Sequence, residues 1–432
     1  MGMKQKIGII ISMFPELHET FIVRELDALD RHQLDFEIYS LQYPRDPVTI
    51  DAAKRLMNKK THYSPLLGLP QVSAFFSSLI RHPIKMLTMI GQLTLAGLHR
   101  PKELLKSFAI LPITFHFGKI MKEKGIQHIH GHWANVPTTA CWMLAKVEGF
   151  TWSAAIHGED IFSKNKLLEK KLSDAKFTVV CTGFFCNHLK DKMNHSHPAD
   201  IHLNYHGLDP KVWERIESSP PYQIKDQGPK TLLTIGRLVS TKGHDDLLRA
   251  SKQLIDKGAD IKVRLIGSGP EEGPLKALAD KLDISERVEF LGMMAFEDVM
   301  TEIQNADTFV LACRMVPGAP PDGIPNVLAE AMAFGVPVIS TNVSAIPELI
   351  TDGEEGLLVP SNDPDSLANA INRIIEDTHF AKQLSDNAQN KVSAMFDQHK
   401  NINELLDYFE HYVGDVRPKS QAAIKTSVSS ST

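Results

Sequence analysis

Thr231-Leu232-Leu233-Thr234-Ile235-Gly236-Arg237, followed after four intervening residues by Lys242-Gly243 and a helical pattern over His244–Lys257, is the stretch on which the fold turns. A short apolar run that ends in Gly and gives way to a 3.6-residue period reads as a buried strand feeding a helix. The same alternation recurs on both sides. Strands are expected at Lys6–Ser12, Asp35–Leu41, Gln127–Gly131, Ser153–His157 and Phe177–Cys181. A second series follows at Thr231–Gly236, Lys262–Gly267, Val288–Gly292, Thr308–Ala312, Val336–Ser340 and Gly356–Pro360. Helical segments such as Phe21–Asp30 and Pro274–Leu282 lie between them. Strand and helix in alternation imply an α/β protein with doubly wound parallel sheets covered on both faces.

A chain of 432 residues is too long for one ordinary core. The pattern breaks across Pro210–Lys230, where Ser218-Ser219-Pro220-Pro221 and Asp226-Gln227-Gly228-Pro229 are turn and linker signals. The expected organisation is a first Rossmann-like domain over 1–210, a linker over 211–229 and a second Rossmann-like domain over 230–395. A helix over 396–415 is expected to pack back on the first domain, and the Ser/Thr/Lys-rich residues 416–432 read as a disordered tail. The opening Ile7-Gly8-Ile9-Ile10-Ile11 reads as a first buried strand rather than a signal peptide.

A formal charge of −5 argues against a nucleic-acid partner. Four cysteines without a CxxC pair read as reduced, buried thiols of a cytoplasmic protein. No uninterrupted apolar run reaches the length of a membrane span. Residues 59–124 differ, with ten Lys and Arg against Glu103 and Glu123, interleaved with Phe75-Phe76, Leu79-Ile80 and Leu104-Leu105. Such a segment is either a solvated face of its own domain or a contact for an anionic membrane surface.

Ligands of open α/β sheets gather at the carboxyl ends of strands, so Gly236, Arg237 and Lys242 project where a phosphate or diphosphate would rest. Two unremarkable loop cations are the alternative. The stretch Asp322-Gly323-Ile324-Pro325-Asn326-Val327-Leu328-Ala329-Glu330 reads as a loop entering a helix near Pro325, with Pro in the first helical position. Backbone amides near Asn326 and Val327 suit a diphosphate, and Asp322 and Glu330 suit sugar hydroxyls; a general acid–base pair is the rival reading. His128, His130 and His132 alternate along a strand and share one face, so zinc is considered, but histidines without metal are preferred. Asp363-Pro364-Asp365 reads as a helix cap.

These motifs resemble the retaining glycosyltransferases of family 4, which have the GT-B fold. The resemblance rests on Asp322-x7-Glu330 followed by Ala331-Met332-Ala333-x-Gly335-x-Pro337-Val338, on Gly236-Arg237-Leu238 with Lys242-Gly243, on Leu265-Ile266-Gly267-Ser268-Gly269-Pro270-Glu271 and on Ile346-Pro347-Glu348-Leu349. The first half is similar to enzymes of colanic-acid and amylovoran exopolysaccharide synthesis, through Phe14-Pro15, Glu19-Thr20-Phe21, His130-Gly131-His132-Trp133-Ala134, His157-Gly158-Glu159-Asp160 and Lys171-Leu172-Ser173-Asp174-Ala175.

The resemblance implies two Rossmann-like domains facing a central cleft and a metal-independent, retaining hexosyltransferase without cofactor. Its donor would be a nucleotide-diphosphate sugar and its acceptor a glycan or lipid-linked glycan. Arg237 and Lys242 match the pyrophosphate-binding pair, Glu330 the acid that holds the ribose, and Asp322 the acid near the sugar, normally Glu. Gly236, Gly267, Gly292, Gly323, Ile324, Asn326 and Val327 would complete the donor site. His132 matches the histidine beside the reacting sugar, and His157, with His18, Glu19 and Thr20, would line the acceptor side. A cytoplasmic position, peripheral on the inner face of the cytoplasmic membrane, follows as an expectation. Hydrolysis or epimerisation of a nucleotide sugar on the same fold is the competing activity. A nicotinamide dehydrogenase is disfavoured because the third glycine, Gly273, falls one position late for GxGxxG.

Overall fold

Alternate residues of the central strands feed opposite faces of the sheets, so the apolar runs are continuous rather than alternating. Leu233, Ile235, Phe309, Leu311 and Val338 enter one core. Their neighbours Leu232, Val310 and Ile339 enter the core on the other face. Two-sided burial is what a parallel sheet covered by crossover helices requires.

The computed structural model describes residues 4–16, 19–45, 50–158, 161–162, 166–193, 200–223, 228–319 and 321–417. Two compact units emerge. The first holds the described residues of Met1–Cys181, Phe185–His206 and His399–Thr432; the second holds those of Thr182–Phe184 and Gly207–Gln398.

The first unit contains β1 (Ile7–Met13), β2 (Phe36–Gln42), β3 (Thr61–Tyr63), β4 (His128–His132), β5 (Thr151–Ile156), β6 (Thr178–Val180) and β7 (Ile201–Leu203). Their order is β3-β2-β1-β4-β5-β6-β7, with parallel pairings throughout. The second unit contains β8 (Lys230–Ile235), β9 (Ile261–Ile266), β10 (Val288–Gly292), β11 (Thr308–Leu311), β12 (Val338–Thr341) and β13 (Leu357–Val359), in the parallel order β10-β9-β8-β11-β12-β13. The chain reverses its winding direction between β1 and β4 in one sheet and between β8 and β11 in the other. Loops leaving these strands at their carboxyl ends part there and leave a crevice.

Three expectations are corrected. The linker over 211–229 is partly helical: Pro210–Glu217 is a helix with Pro in its first turn, and the Asp209 side chain caps it by accepting from the Lys211 N–H at 3.0 Å. Val212 is buried, with Trp213 and Ile216 packed on the same core, so the segment belongs to the second unit. The tail does not begin at 416. Val416 is buried, and Arg417 pairs with Asp407 and with Glu410 at 3.4 Å. The rest of the tail, 418–432, lies outside the described residues. The helix opening near Pro325 starts one residue late: Pro325, with ψ 120°, is the N-cap of Asn326–Ala333.

That helix ends at a glycine. Gly335 takes φ +78°, and the bonds Gly335 N–H to Met332 O and Val336 N–H to Ala331 O make a Schellman cap. The helix Gln398–Tyr412 buries Leu405, Leu406 and Phe409 in the first unit's core beside Ile7 and Ile9.

Candidate functional site

The loop between β8 and the helix His244–Asp256 is held from beneath. Gly243 has φ +64°, and a Cβ there would sit 1.8 Å from the Ala312 carbonyl oxygen, so only glycine lets the loop lie against the end of β11. Arg314, in the loop after β11, clamps it further through Asp245 at 2.6 Å and Asp246 at 2.8 Å, and its N–H donates to the Thr241 carbonyl at 2.9 Å. Arg314 is a positioning residue that no motif announces, because its partners lie about seventy residues away in sequence.

This scaffold delivers Lys242 over Gly236, whose position lies 3.6 Å from Lys242 Cε when given a Cβ. The Lys242 ammonium pairs with the Asp322 carboxylate at 2.8 Å. The two groups matched separately to diphosphate and sugar are therefore direct partners. Arg237 stands exposed beside them and forms no ion pair among the described residues. Its backbone carbonyl faces His244 Nε2 at 3.4 Å, while His244 Nδ1 faces Thr234 Oγ1 at 3.3 Å. Burial pushes the His244 imidazole down to about 4, which keeps this support neutral.

Gly236, Gly267 and Gly292 are adjacent across the ends of β8, β9 and β10. Gly236 N–H donates to the Ile266 carbonyl at 3.0 Å, and Gly267 N–H donates to the Gly292 carbonyl at 2.8 Å. A Cβ on Gly267, at φ +133°, would lie 2.0 Å from the Gly236 carbonyl oxygen. Asn326–Ala333 begins without a side-chain cap, so the first-turn amides around Asn326 and Val327 sit at the positive end of the helix dipole. Glu330 is buried on that helix, and Gly323 and Ile324 lie half-buried in the loop before it. Ser344 occupies the left-handed region at φ +54°, and its hydroxyl donates to the Asp322 carbonyl. This backbone state is uncommon for a residue with a side chain, and the hydroxyl bond compensates for it.

In the first unit, β4 carries three histidines with different fates. His128 and His130 both meet Ser153 Oγ, at 2.8 and 2.7 Å, and the other nitrogen of His128 meets Thr151 Oγ1 at 2.9 Å. His132, at the strand's end, turns to other partners: His157 at 3.4 Å and the Glu25 carboxylate at 3.5 Å. His157 meets His206 at 3.2 Å through its second nitrogen. Phe21 packs on His157 and His206 at 4.8 and 4.7 Å between ring centres.

Burial drives the His132 and His157 pKa values well down and the Glu25 pKa up to about 7. The cluster therefore favours neutral forms, and the His132–Glu25 approach is not an ion pair. Glu25 and His206 were not foreseen from sequence, since each sits in an ordinary helical or loop context. Among the described residues, His157, Cys181 and His206 offer ligand atoms that all lie within 4.8 Å of one another, a set able to hold a metal ion.

Trp133 follows His132 with φ +77°, a rare state for a bulky residue. The next residues are fixed by Lys171, fully buried, whose ammonium donates to the Ala134 and Asn135 carbonyls at 2.7 and 3.1 Å and to Thr138 and Thr139 hydroxyls at 3.1 and 3.0 Å. Glu19 is the N-cap of Thr20–Arg31, which Thr20 opens. His18, Glu159 and Asp160 lie outside the described residues.

Residues 216–391 match the family described as Glycosyl transferases group 1. The chain is 34% identical over 173 residues to the putative colanic acid biosynthesis glycosyltransferase WcaL of Salmonella typhimurium, covering 39% of this chain and 42% of that protein. The chain thus spans under half the length of that relative. Its fold is shared with a glycosyltransferase crystal structure from Rickettsia africae, with a TM-score of 0.68, 17% identity and coverage of 95% and 99% of the two chains. It is also similar to Anabaena Alr3699/HepE in complex with UDP-glucose, with a TM-score of 0.63, 16% identity and coverage of 94% and 99%. The architecture of two parallel, Rossmann-like sheets is that of the GT-B glycosyltransferases.

Proposed function

Starting from a chain whose residues 216–391 form a glycosyl transferases group 1 domain, we propose that it moves a hexose from a nucleotide-diphosphate sugar to a glycan or lipid-linked glycan in exopolysaccharide synthesis, with retention and without a metal. One observation carries this reading. Lys242, Arg237 and the uncapped start of Asn326–Ala333 follow the strands between which the second sheet's winding reverses, a set of groups that suits an anion.

The diphosphate takes the Lys242 ammonium from Asp322, which frees the Asp322 carboxylate for hydroxyls of the sugar. Glu330 holds the ribose, and Gly236, Gly267 and Gly292 let backbone approach the nucleotide. As the glycosidic bond breaks, negative charge grows on the leaving diphosphate. Lys242, once released from Asp322, acts with Arg237 and the amides of Asn326 and Val327 to stabilise that charge. The acceptor hydroxyl attacks from the leaving-group side and passes its proton to a phosphate oxygen. His132 and His157 are assigned to the acceptor side, where neutral imidazoles exchange hydrogen bonds with hydroxyls.

The reading is supported by the UDP-glucose bound to the structural neighbour. Its test is to incubate the purified chain with UDP-, GDP- and ADP-hexoses, with and without an oligosaccharide acceptor. Sugar should appear on the acceptor with its anomeric configuration kept, and release from donor alone should run at least tenfold slower. Equal release without acceptor, or epimerised donor, would replace transfer by hydrolysis or epimerisation.

A further inference from the structure

Ten of the fourteen large apolar side chains exposed among the described residues lie between Leu67 and Leu105. They are ordered. On the helix Leu69–Arg81, the exposed Leu69, Val72, Phe76 and Ile80 fall within a sector of about 100° at 3.6 residues per turn. On the helix Pro83–Gly97, Ile84, Leu87, Gly91 and Leu95 fall on one sector in the same way, and Leu98 continues it. The other faces are already used: Ala74 and Ser78 are buried on the first helix, and Met86, Met89 and Leu93 on the second. Each helix is therefore anchored by one face while presenting a second apolar face outward, with Leu69 88% and Ile84 80% exposed. Apolar stripes this exposed on a globular unit mark an interaction site.

Charge decides the occupant. Residues 67–109 carry Arg81, Lys85, Arg100, Lys102 and Lys106 against Glu103 alone, a surplus of four. This surplus and the wider one over 59–124 are partly spent inside the unit, since Arg81 and Lys122 pair with Glu148, Lys60 with Asp30 and Lys124 with Glu37. A second copy of this face would set Lys85, Arg100 and Lys102 against the same three cations. An anionic lipid surface instead takes both the apolar sectors and the cations. Among the described residues, no single helix is long and apolar enough to cross a membrane. The bent pair Pro101–Ala109 and Leu111–Glu123 meets that test only together, and Ile113, Phe115, Phe117 and Met121 of its second half are buried in the unit.

We propose that the helices Leu69–Arg81 and Pro83–Gly97 seat their outward apolar sectors in the interfacial layer of an anionic bilayer, with Lys85, Arg100 and Lys102 at the lipid phosphates. The surface stands on its own residues, apart from the sugar-transfer reading. Joined to that reading, it makes a lipid-linked glycan the favoured acceptor.

The test is co-sedimentation of the full chain with 100-nm vesicles of phosphatidylcholine alone and of phosphatidylcholine with 30 mol% phosphatidylglycerol, with no donor present. The chain should partition at least tenfold more strongly onto the anionic vesicles. Ile84→Glu with Leu95→Glu should lower that partition at least tenfold, with an unchanged circular dichroism spectrum. As a second variant, Lys85→Glu with Lys102→Glu should lower it and weaken its dependence on salt. Equal partition onto neutral vesicles, no vesicle binding, or variants that bind like the parent would overturn the proposal. So would a concentration-dependent dimer abolished by Ile84→Glu with Leu95→Glu in a chain that ignores vesicles.

Discussion

Lys242→Ala should lower turnover about a hundred-fold or more, and Arg237→Ala by a similar factor, with thermal melting close to that of the parent. Removing one preorganised donor to developing oxyanion charge costs about 3–4 kcal/mol of transition-state stabilisation, which corresponds to a factor of hundreds. The fold should tolerate both changes. Arg237 is exposed, and the loop that carries Lys242 is secured by Gly243 against Ala312 and by Arg314 against Asp245 and Asp246 rather than by the lysine itself. Lys242→Ala also leaves the half-exposed Asp322 carboxylate beside the diphosphate without its partner, so donor affinity should fall with turnover. Single-turnover rates with purified variants check this; turnover within a factor of three of the parent in either variant would remove these cations from the reaction.

The second large effect is acid sensitivity. His128 and His130 are buried with pKa values near 3, and His206 with a value near 4, in each case chiefly through burial. An unfolded histidine titrates near 6.5, so below that pH the unfolded chain binds protons that the folded chain refuses. Stability therefore rises with pH between about 4 and 6.5 and falls as the solution is acidified through that window. At pH 4.5 each such imidazole costs roughly 2–3 kcal/mol relative to pH 7. Two or three of them approach the whole stability of a typical domain. Glu25, raised to about 7, works in the opposite direction, because its folded carboxyl gains protons on acidification, but it is one group against several. Urea titrations at pH 7, 6, 5 and 4.5 should show the midpoint dropping steeply below pH 6. A midpoint that is flat from pH 7 to 4.5 would mean that these imidazoles are hydrated and titrate normally.

Much of the architecture was legible because the central strands are buried on both sides, and runs such as Ile7–Ile11 and Leu232–Ile235 show it without help from context. The edge strands β3 and β7 were not legible. Each is three residues long and half-polar, and only the neighbouring strand's free edge makes it a strand. The helix Pro210–Glu217 was hidden by Pro and Ser that punctuate its ends yet permit the turns between them.

In the candidate site, local motifs placed Gly236, Arg237, Lys242, Asp322 and Glu330 near strand ends, since loop and helix start are consecutive in sequence. Their pairing was invisible: the Lys242–Asp322 contact joins residues eighty apart, and Arg314, Glu25 and His206 enter only because sheet order brings their loops together. The alternating histidines of β4 are all buried and are separated by their partners: Ser153 and Thr151 hydroxyls at one end, His157 and Glu25 at the other, which a period-two pattern does not record.

The central claim is that the second unit grips the anionic half of an activated sugar at the point where its winding reverses. Amide hydrogen exchange on the full chain, with and without saturating UDP-, GDP- or ADP-glucose, tests it most directly. One of these donors should slow exchange at least fivefold across 236–243 and 322–330. If all three leave both segments unchanged, or if protection falls only elsewhere in the chain, the claim is contradicted.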